Sequence, residues 1–303
     1  MELFDIKRGD RLESVRVKPF RYEKDIQNIV EKNLIQVFDL EFVCSEMTIK
    51  NFRIDTLCYD KSNKSFVIIE YKKGKSYSVI DQGYSYLSLM LNNKSDFILE
   101  YNENKSGNLK RGNIDWTQSK VLFISPNFST YQKESINFRD LPIELYEIKR
   151  FSNNSIIINQ IKGEGSESVS KLSKGKGVIG KVSKEVKVYS EEDIVSFGEK
   201  EIQSLYYSLR SSILELEDVE ILPRKKYIGF VRDRNICSVF IQKKKIKLWI
   251  NMKKGELNDG QGIMRDVSHI GHHGIGDYET LIDNDDDIEY ILSMIKQSYY
   301  KQD

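Results

Sequence analysis

The sequence predicts an α/β domain with a mixed sheet, followed by a smaller α+β domain. Three observations carry this expectation. The chain has 303 residues, which at roughly 100–200 residues per domain is about two domains. Short apolar strand patterns alternate with helical ones in the first half. A change of composition separates the halves: from Gly163 to Lys184, Gly, Ser and Lys fill 15 of 22 positions. Such a segment is expected to be a flexible linker, because it offers too little apolar surface to offset chain entropy. The expected boundaries are 1–162 for the first domain, 163–187 for the linker and 188–303 for the second domain.

In the first domain, Pro19 to Phe38 reads as a helix, with Ile26, Ile29, Val30, Leu34 and Val37 at helical spacing. Glu23 lies three residues before Ile26 and seven before Val30, which places it on the same inward face. Glu31 is a second helical acid, less inward by its position. Two strand patterns follow, Phe52–Tyr59 and Phe66–Lys73, joined by the turn chemistry of Asp60-Lys61-Ser62-Asn63-Lys64-Ser65. The run Phe66-Val67-Ile68-Ile69 marks a strand buried on both faces. Ser78–Leu91 reads as a second helix. Further strands are expected at 97–101, 120–125, 143–150 and 155–161. In the second domain, Ser190 stands three residues before Asp193 in the manner of a capping box. The helix it opens carries Ile194, Phe197, Leu205, Leu209, Ile213 and Leu216. Strands at about 227–232, 236–241 and 246–252 and a terminal helix at 286–300 complete the pattern.

The 47 basic and 46 acidic residues leave a net charge of +1. This excludes a globally basic nucleic-acid coat, though not a local basic groove. No apolar run approaches the roughly 18–20 residues of a membrane span, and the opening MELFDIKRGD has no signal-peptide core. Three cysteines without CxxC spacing, Cys44, Cys58 and Cys237, point to a reducing compartment. A cytoplasmic location without membrane contact is therefore expected.

The chemistry-bearing pattern sits around the buried strand. Glu70 follows the apolar run at once and Lys72 lies two residues on, so both project from one face. If the two strands form a hairpin centred between Ser62 and Asn63, Asp55 stands opposite Glu70. A one-residue slip would separate them. Two carboxylates and an ammonium beside a buried strand are costly unless neutralised, and a hard divalent cation does this with oxygen ligands. Gln82 and Tyr86, four apart, share one helix face.

Asp55, Glu70-x-Lys72, the upstream helical Glu23 and the downstream Gln82-x-x-x-Tyr86 together resemble the PD-(D/E)XK nuclease superfamily. Glu23-Lys24-Asp25-Ile26-Gln27, Arg53-Ile54-Asp55 and Ile69-Glu70-Tyr71-Lys72 are similar to the branch that contains archaeal single-strand-junction endonucleases. The QxxxY element resembles RecB-type nucleases. The residue before Asp55 is Ile54 rather than the proline of the pattern. The resemblance covers about residues 20–160. It implies a restriction-endonuclease-like mixed sheet flanked by helices and a Mg²⁺- or Mn²⁺-dependent nuclease. It further implies metal ligands Asp55 and Glu70, support of the metal shell by Glu23, assistance to water by Lys72, and DNA contact or site support by Gln82 and Tyr86. Duplex or single-stranded DNA is the implied partner, and defence against foreign DNA or DNA repair the implied role. The alternative is a non-cleaving nucleic-acid-binding or partner-binding module on a nuclease fold.

The remainder is similar to an uncharacterised C-terminal domain often fused to such nucleases, here with Gly271-His272-His273-Gly274-Ile275-Gly276-Asp277. Full-length relatives carry the label "predicted transport protein". The second domain is expected to serve recognition, or a homodimer or protein partner. His269, His272 and His273 have a spacing that could hold a transition metal, though a structural or substrate-contacting loop is favoured over a metal site. From Leu222 to Lys254 there are 11 basic residues against one acid, and from Asp277 to Glu289 seven acids and no base. Arg224, Lys225, Lys243, Lys244 and Lys245 are the candidate phosphate contacts. The competing reading is that the strip pairs with the chain's own acids.

Overall fold

The computed structural model describes residues 2–74, 78–163, 165, 167–169 and 177–302. It divides into two compact units, 1–187 and 188–303.

The first unit opens with a hairpin, β1 (Leu3–Lys7) and β2 (Arg11–Val15). Its main sheet holds β3 (Glu41–Ile49), β4 (Phe52–Asp60), β5 (Ser65–Tyr71), β6 (Lys120–Ser125), β7 (Ile143–Arg150) and β8 (Ile156–Ile161), in that spatial order. Strands β5, β6 and β7 run parallel and the other neighbours antiparallel. The sheet is thus mixed and flanked by helices, as expected. The β4–β5 turn is built by Asp60, whose carboxylate accepts from the Asn63 N–H at 2.9 Å. Thr56 pairs with Ile69 and Asp60 with Ser65, the register centred between Ser62 and Asn63.

Each face of the sheet has its own core. Helix α1 (Glu23–Lys32) places Ile26 and Val30 against Cys58, Val67, Ile69 and Tyr71 on one face. The expected single helix breaks at Asn33, beyond which α2 runs from Leu34 to Phe38. The other face, bearing Leu57, Tyr59, Phe66 and Ile68, is covered by α3 (Val79–Asn92) and α4 (Lys94–Lys105). Helix α4 corrects the strand expected at 97–101. Phe97, Ile98 and Tyr101 pack on this core while Leu99 between them is 56% exposed, a helical stripe rather than an alternation. A short helix, α5 (Thr130–Ser135), precedes β7.

The expected linker is also corrected. Of its described residues, Gly177–Glu185 forms a helix, α6, whose Val182 joins the α3-side core together with Val169 and Val186. Lys94 of α4 pairs with Glu185 at 2.9 Å. A Cβ at Gly163 would stand 2.4 Å from the Ile136 carbonyl oxygen and one at Gly165 1.8 Å from that of Asn137. These glycines permit close packing, which a composition count reads as looseness. Residues 164, 166 and 170–176 of the expected linker lie outside the described residues.

In the second unit, α7 (Glu191–Val195) carries the expected capping box. Ser190 Oγ accepts from the Asp193 N–H at 3.1 Å and Asp193 Oδ2 from the Ser190 N–H at 2.9 Å. The chain breaks before α8 (Lys200–Leu214), so the single expected helix is two. An antiparallel sheet follows: β9 (Glu220–Pro223), β10 (Ile228–Val231), β11 (Asn235–Ile241), β12 (Ile246–Ile250), β13 (Arg265–Asp266) and β14 (Tyr278–Ile282), in the spatial order β13-β14-β12-β11-β10-β9. Helix α9 (Ile288–Tyr300) closes the unit. With α8 it covers the face bearing Cys237, Val239, Leu248 and Ile250. No helix of the described residues is long and apolar enough to cross a membrane.

Candidate active site

Phe66 to Ile69 are fully buried, and the strand they build carries Glu70 to its C-terminal end at 4% exposure. Because β5 alternates, Glu70 and Lys72 follow Phe66 and Ile68 onto the α3 face. The register brings Asp55 of β4 to the same face, where its Oδ2 accepts from the Tyr71 N–H at 3.0 Å. Helix α3 completes the group. Lys72 Nζ and Gln82 Nε2 both donate to Glu70 Oε1, each at 2.8 Å. Gln82 Nε2 also lies 3.2 Å from the Tyr86 hydroxyl, which donates to the Arg53 carbonyl at 3.1 Å. Five of the six residues picked from the sequence therefore meet at one place.

The sixth does not. Glu23 starts α1, which covers the opposite face, and its Oε1 accepts from the Lys73 N–H at 2.8 Å just beyond β5. It reaches the same end of the sheet but not the carboxylate pair. Among the described residues no group of three or more His, Cys, Asp or Glu side chains is placed to hold a metal ion, so the expected three-carboxylate shell is not assembled. Helical periodicity tells which side of α1 is buried, but not which face of the sheet it buries.

Two features mark the pair as electrostatically unsettled. Glu70 Oε2 is buried with no hydrogen-bond partner, a state that costs of the order of 1–3 kcal/mol, more for a charged group. Asp55 has its pKa pushed up to about 6, first by burial and then by the charge of Glu70, against the opposing pull of the Tyr71 N–H and Lys72. The Tyr86 hydroxyl is likewise shifted upward, by burial first and by Glu70 next.

Behind the pair lies a polar cluster around Glu31, which the sequence marked as the less inward acid of the helix but which is less exposed than Glu23. Gln27, buried on α1, donates to the Asp55 carbonyl at 2.9 Å. Glu31 Oε1 accepts from Gln27 Nε2 at 2.9 Å and from Ser45 Oγ and Thr56 Oγ1 at 2.6 Å each. The cluster clamps the backbone of β4 at Asp55. The signal for it was the Glu23, Gln27, Glu31 spacing of four, which lines one helix face.

In the second unit the basic strip divides. Lys247 pairs with Glu279 of the acidic stretch at 3.2 Å, and the Lys254 N–H donates to Asp277 at 2.9 Å. Lys254 Nζ pairs with Asp266 at 2.5 Å, and Lys243 approaches Glu199 at 3.8 Å. Lys243, Lys244 and Lys245 lie exposed in the β11–β12 turn. Lys226 Nζ lies 3.4 Å from His273 Nε2. His272 and His273 make ring contacts with Trp249 and Phe240.

Residues 184–302 match DUF5655, a domain of unknown function. An uncharacterized protein of Haemophilus influenzae is 46% identical over 300 residues, covering 98% of this chain and 99% of its own length. Being uncharacterized, it lends no support to the "predicted transport protein" label. Three solved structures align weakly. They are a repair endonuclease from Pyrococcus abyssi (15% identity, 39% of this chain and 44% of that one, TM-score 0.23), an EndoMS–dsDNA complex (16%, 48% and 60%, 0.27), and Pyrococcus furiosus SfsA with Ca²⁺ (13%, 54% and 76%, 0.26). The alignments span less than two thirds of the first two, and TM-scores this low do not establish a shared fold. At 46% identity over nearly its whole length, the chain belongs to the family of this uncharacterized Haemophilus influenzae protein and carries the DUF5655 domain at its C-terminal end.

Proposed function

We propose that the chain is a divalent-metal-dependent nuclease acting on DNA, with its site at Asp55, Glu70 and Lys72. The observation that carries this reading is the buried, unpartnered Glu70 Oε2 beside a second carboxylate whose pKa has risen to about 6. A hard cation relieves both strains at once: it supplies the missing partner and neutralises two like charges. The donor set is all oxygen on the carboxylate side, which suits Mg²⁺ or Mn²⁺. Asp55 and Glu70 would hold the ion, which when bound would polarise a phosphoryl oxygen and lower the pKa of water.

The chain's own residues then have distinct tasks. Lys72 Nζ, 2.8 Å from Glu70 Oε1, is placed to donate to a phosphoryl oxygen as its charge grows. Gln82 fixes the Glu70 carboxylate through Oε1, leaving Oε2 for another partner. Tyr86 ties α3 to β4 through the Arg53 carbonyl. Gln27 and Glu31 hold β4 from the far side. Water attacks phosphorus and gives up a proton to solvent, one P–O ester bond breaks, and the leaving oxygen takes up a proton from solvent, so that one water is added across the ester. Lys243, Lys244, Lys245, Arg224 and Lys225 are assigned to the phosphate backbone of the substrate.

The test is incubation with duplex DNA, single-stranded DNA and RNA, each with Mg²⁺, Mn²⁺ or EDTA. Cleavage of DNA with either metal and none in EDTA is expected. DNA left intact under all metal conditions, with binding retained, would leave the non-cleaving alternative in its place.

A further inference from the structure

The Gly271–Asp277 motif is only half explained by packing. Its loop crosses the sheet face opposite α8 and α9, where Ser238 and Trp249 are paired neighbours. A Cβ at Gly274 would lie 2.3 Å from the Trp249 ring, and one at Gly276, whose φ is +105°, would lie 1.9 Å from the Ile250 carbonyl oxygen. The Ile275 N–H donates to Ser238 Oγ at 3.3 Å. These contacts account for the glycines, and the two histidines need a separate account. His272 stacks on Trp249 with ring centroids 5.7 Å apart, and its Nδ1 lies 2.7 Å from the Ile270 carbonyl, which fixes a proton there. His273 stands edge-on to Phe240 at 5.9 Å and is exposed. Its Nε2 lies 3.4 Å from Nζ of exposed Lys226. Lys226 stands in the β9–β10 turn and His273 in the loop. The ammonium donates to Nε2 as they stand, and an oxyanion entering this clamp between them would accept from the ammonium and, once Nε2 carries a proton, from the imidazole as well.

We propose that Lys226 and His273 form a phosphate-binding site of the second unit, and that its ligand is the backbone of a nucleic acid. The site's surroundings favour a polymer over a small phosphate. Lys226 ends the basic triplet Arg224-Lys225-Lys226 in the β9–β10 turn. Ile228 pairs with Val239 and Ile241 with Ile246, so this turn lies beside the β11–β12 turn with Lys243, Lys244 and Lys245. Neighbouring strands are about 5 Å apart, so five further basic residues spread over two adjacent turns next to the clamp. That array matches a repeating charge, whereas one phosphate would need only the clamp. The inference rests on the nuclease reading only in taking nucleic acid as the ligand.

The experiment uses the full chain in EDTA, so that binding is read without cleavage. Fluorescence anisotropy follows a labelled 20-nucleotide single strand and its duplex across a salt series. Lys226→Gln with His273→Gln is compared with Lys254→Gln, which removes one charge elsewhere in the same unit. The double variant should bind about tenfold more weakly and flatten the log–log salt slope by about one, the value for one lost phosphate contact. Lys254→Gln should match the wild type, and inorganic phosphate should shift the His273 imidazole NMR signals and compete with the oligonucleotide. The proposal is overturned if the double variant behaves as Lys254→Gln does. It is also overturned if no oligonucleotide binds at low salt, or if inorganic phosphate shifts His273 while oligonucleotide affinity ignores both substitutions. Cleavage is read apart, with metal and the Glu70→Gln variant, so loss of the Lys226–His273 effect with cleavage kept overturns the site alone, and loss of cleavage with that effect kept overturns the nuclease reading alone.

Discussion

Replacing Asp55 by asparagine should change how the stability of the first unit depends on pH. Burial and Glu70 raise the Asp55 pKa from 3.8 to about 6, so the folded state holds a proton that the unfolded chain has already released. Between pH 4 and 6 the native state binds more protons than the unfolded state, and stability falls as pH rises. A shift of about two units corresponds to about 3 kcal/mol in all for the metal-free protein, of which about 2 kcal/mol is lost across that window. The substituted amide cannot ionise, while its oxygen can still accept from the Tyr71 N–H. Groups remote from the pair act alike in both proteins, so the difference between them reports Asp55 together with its coupling to Glu70. Urea unfolding of the full chain in EDTA, with pulsed amide exchange in the β4–β5 peptides, reads the first unit alone. Relative to Asp55→Asn, the wild type should lose about 2 kcal/mol between pH 4 and 7, and saturating Mn²⁺ should abolish the loss. A difference that stays flat with pH would mean that the Asp55 carboxylate is not strained.

Three further outcomes follow from particular contacts. Lys72→Ala should slow cleavage at least about 10²-fold, as loss of a charge-stabilising donor does, while calorimetric titration with Mn²⁺ shows the metal affinity retained. Val182→Ala should destabilise the first unit by about 2 kcal/mol, from two buried methyls and the cavity they leave; no effect in urea unfolding would restore the linker reading. Gly276→Ala should destabilise the second unit by about 3 kcal/mol, since a left-handed backbone and a carbonyl oxygen both oppose a Cβ there. Amide exchange in β12 would report it.

The strands that carry the site were legible because two independent signals agreed. The run Phe66–Ile69 marked a strand buried on both faces, and the Asp60–Ser65 turn set its register against β4. That register by itself puts Asp55, Glu70 and Lys72 on one face. Strand β3 escaped because its pairing shifts between Phe42 and Cys44, which breaks the alternation a strand reading needs. Strand β14 was hidden among acids, its Glu279 buried by a hydrogen bond from the Trp249 indole at 2.9 Å and by Lys247. Residues 97–101 carry aromatic and β-branched side chains that favour a strand locally. Packing of Phe97, Ile98 and Tyr101 against the sheet overrode that preference. Glu23 was misplaced for a topological reason. Its helix lies on the far face of the sheet, and no local pattern records which face a helix covers.

The proposed nuclease reading assigns metal-dependent hydrolysis to Asp55 and Glu70. Its most direct test is single-turnover cleavage of labelled DNA by the wild type, Asp55→Asn and Glu70→Gln, with Mg²⁺ or Mn²⁺ and with EDTA. The wild type should cleave only with metal, and either variant should lose about 10³-fold, equal to about 4 kcal/mol of barrier, while remaining folded. Near-wild-type turnover by folded Glu70→Gln would contradict that assignment.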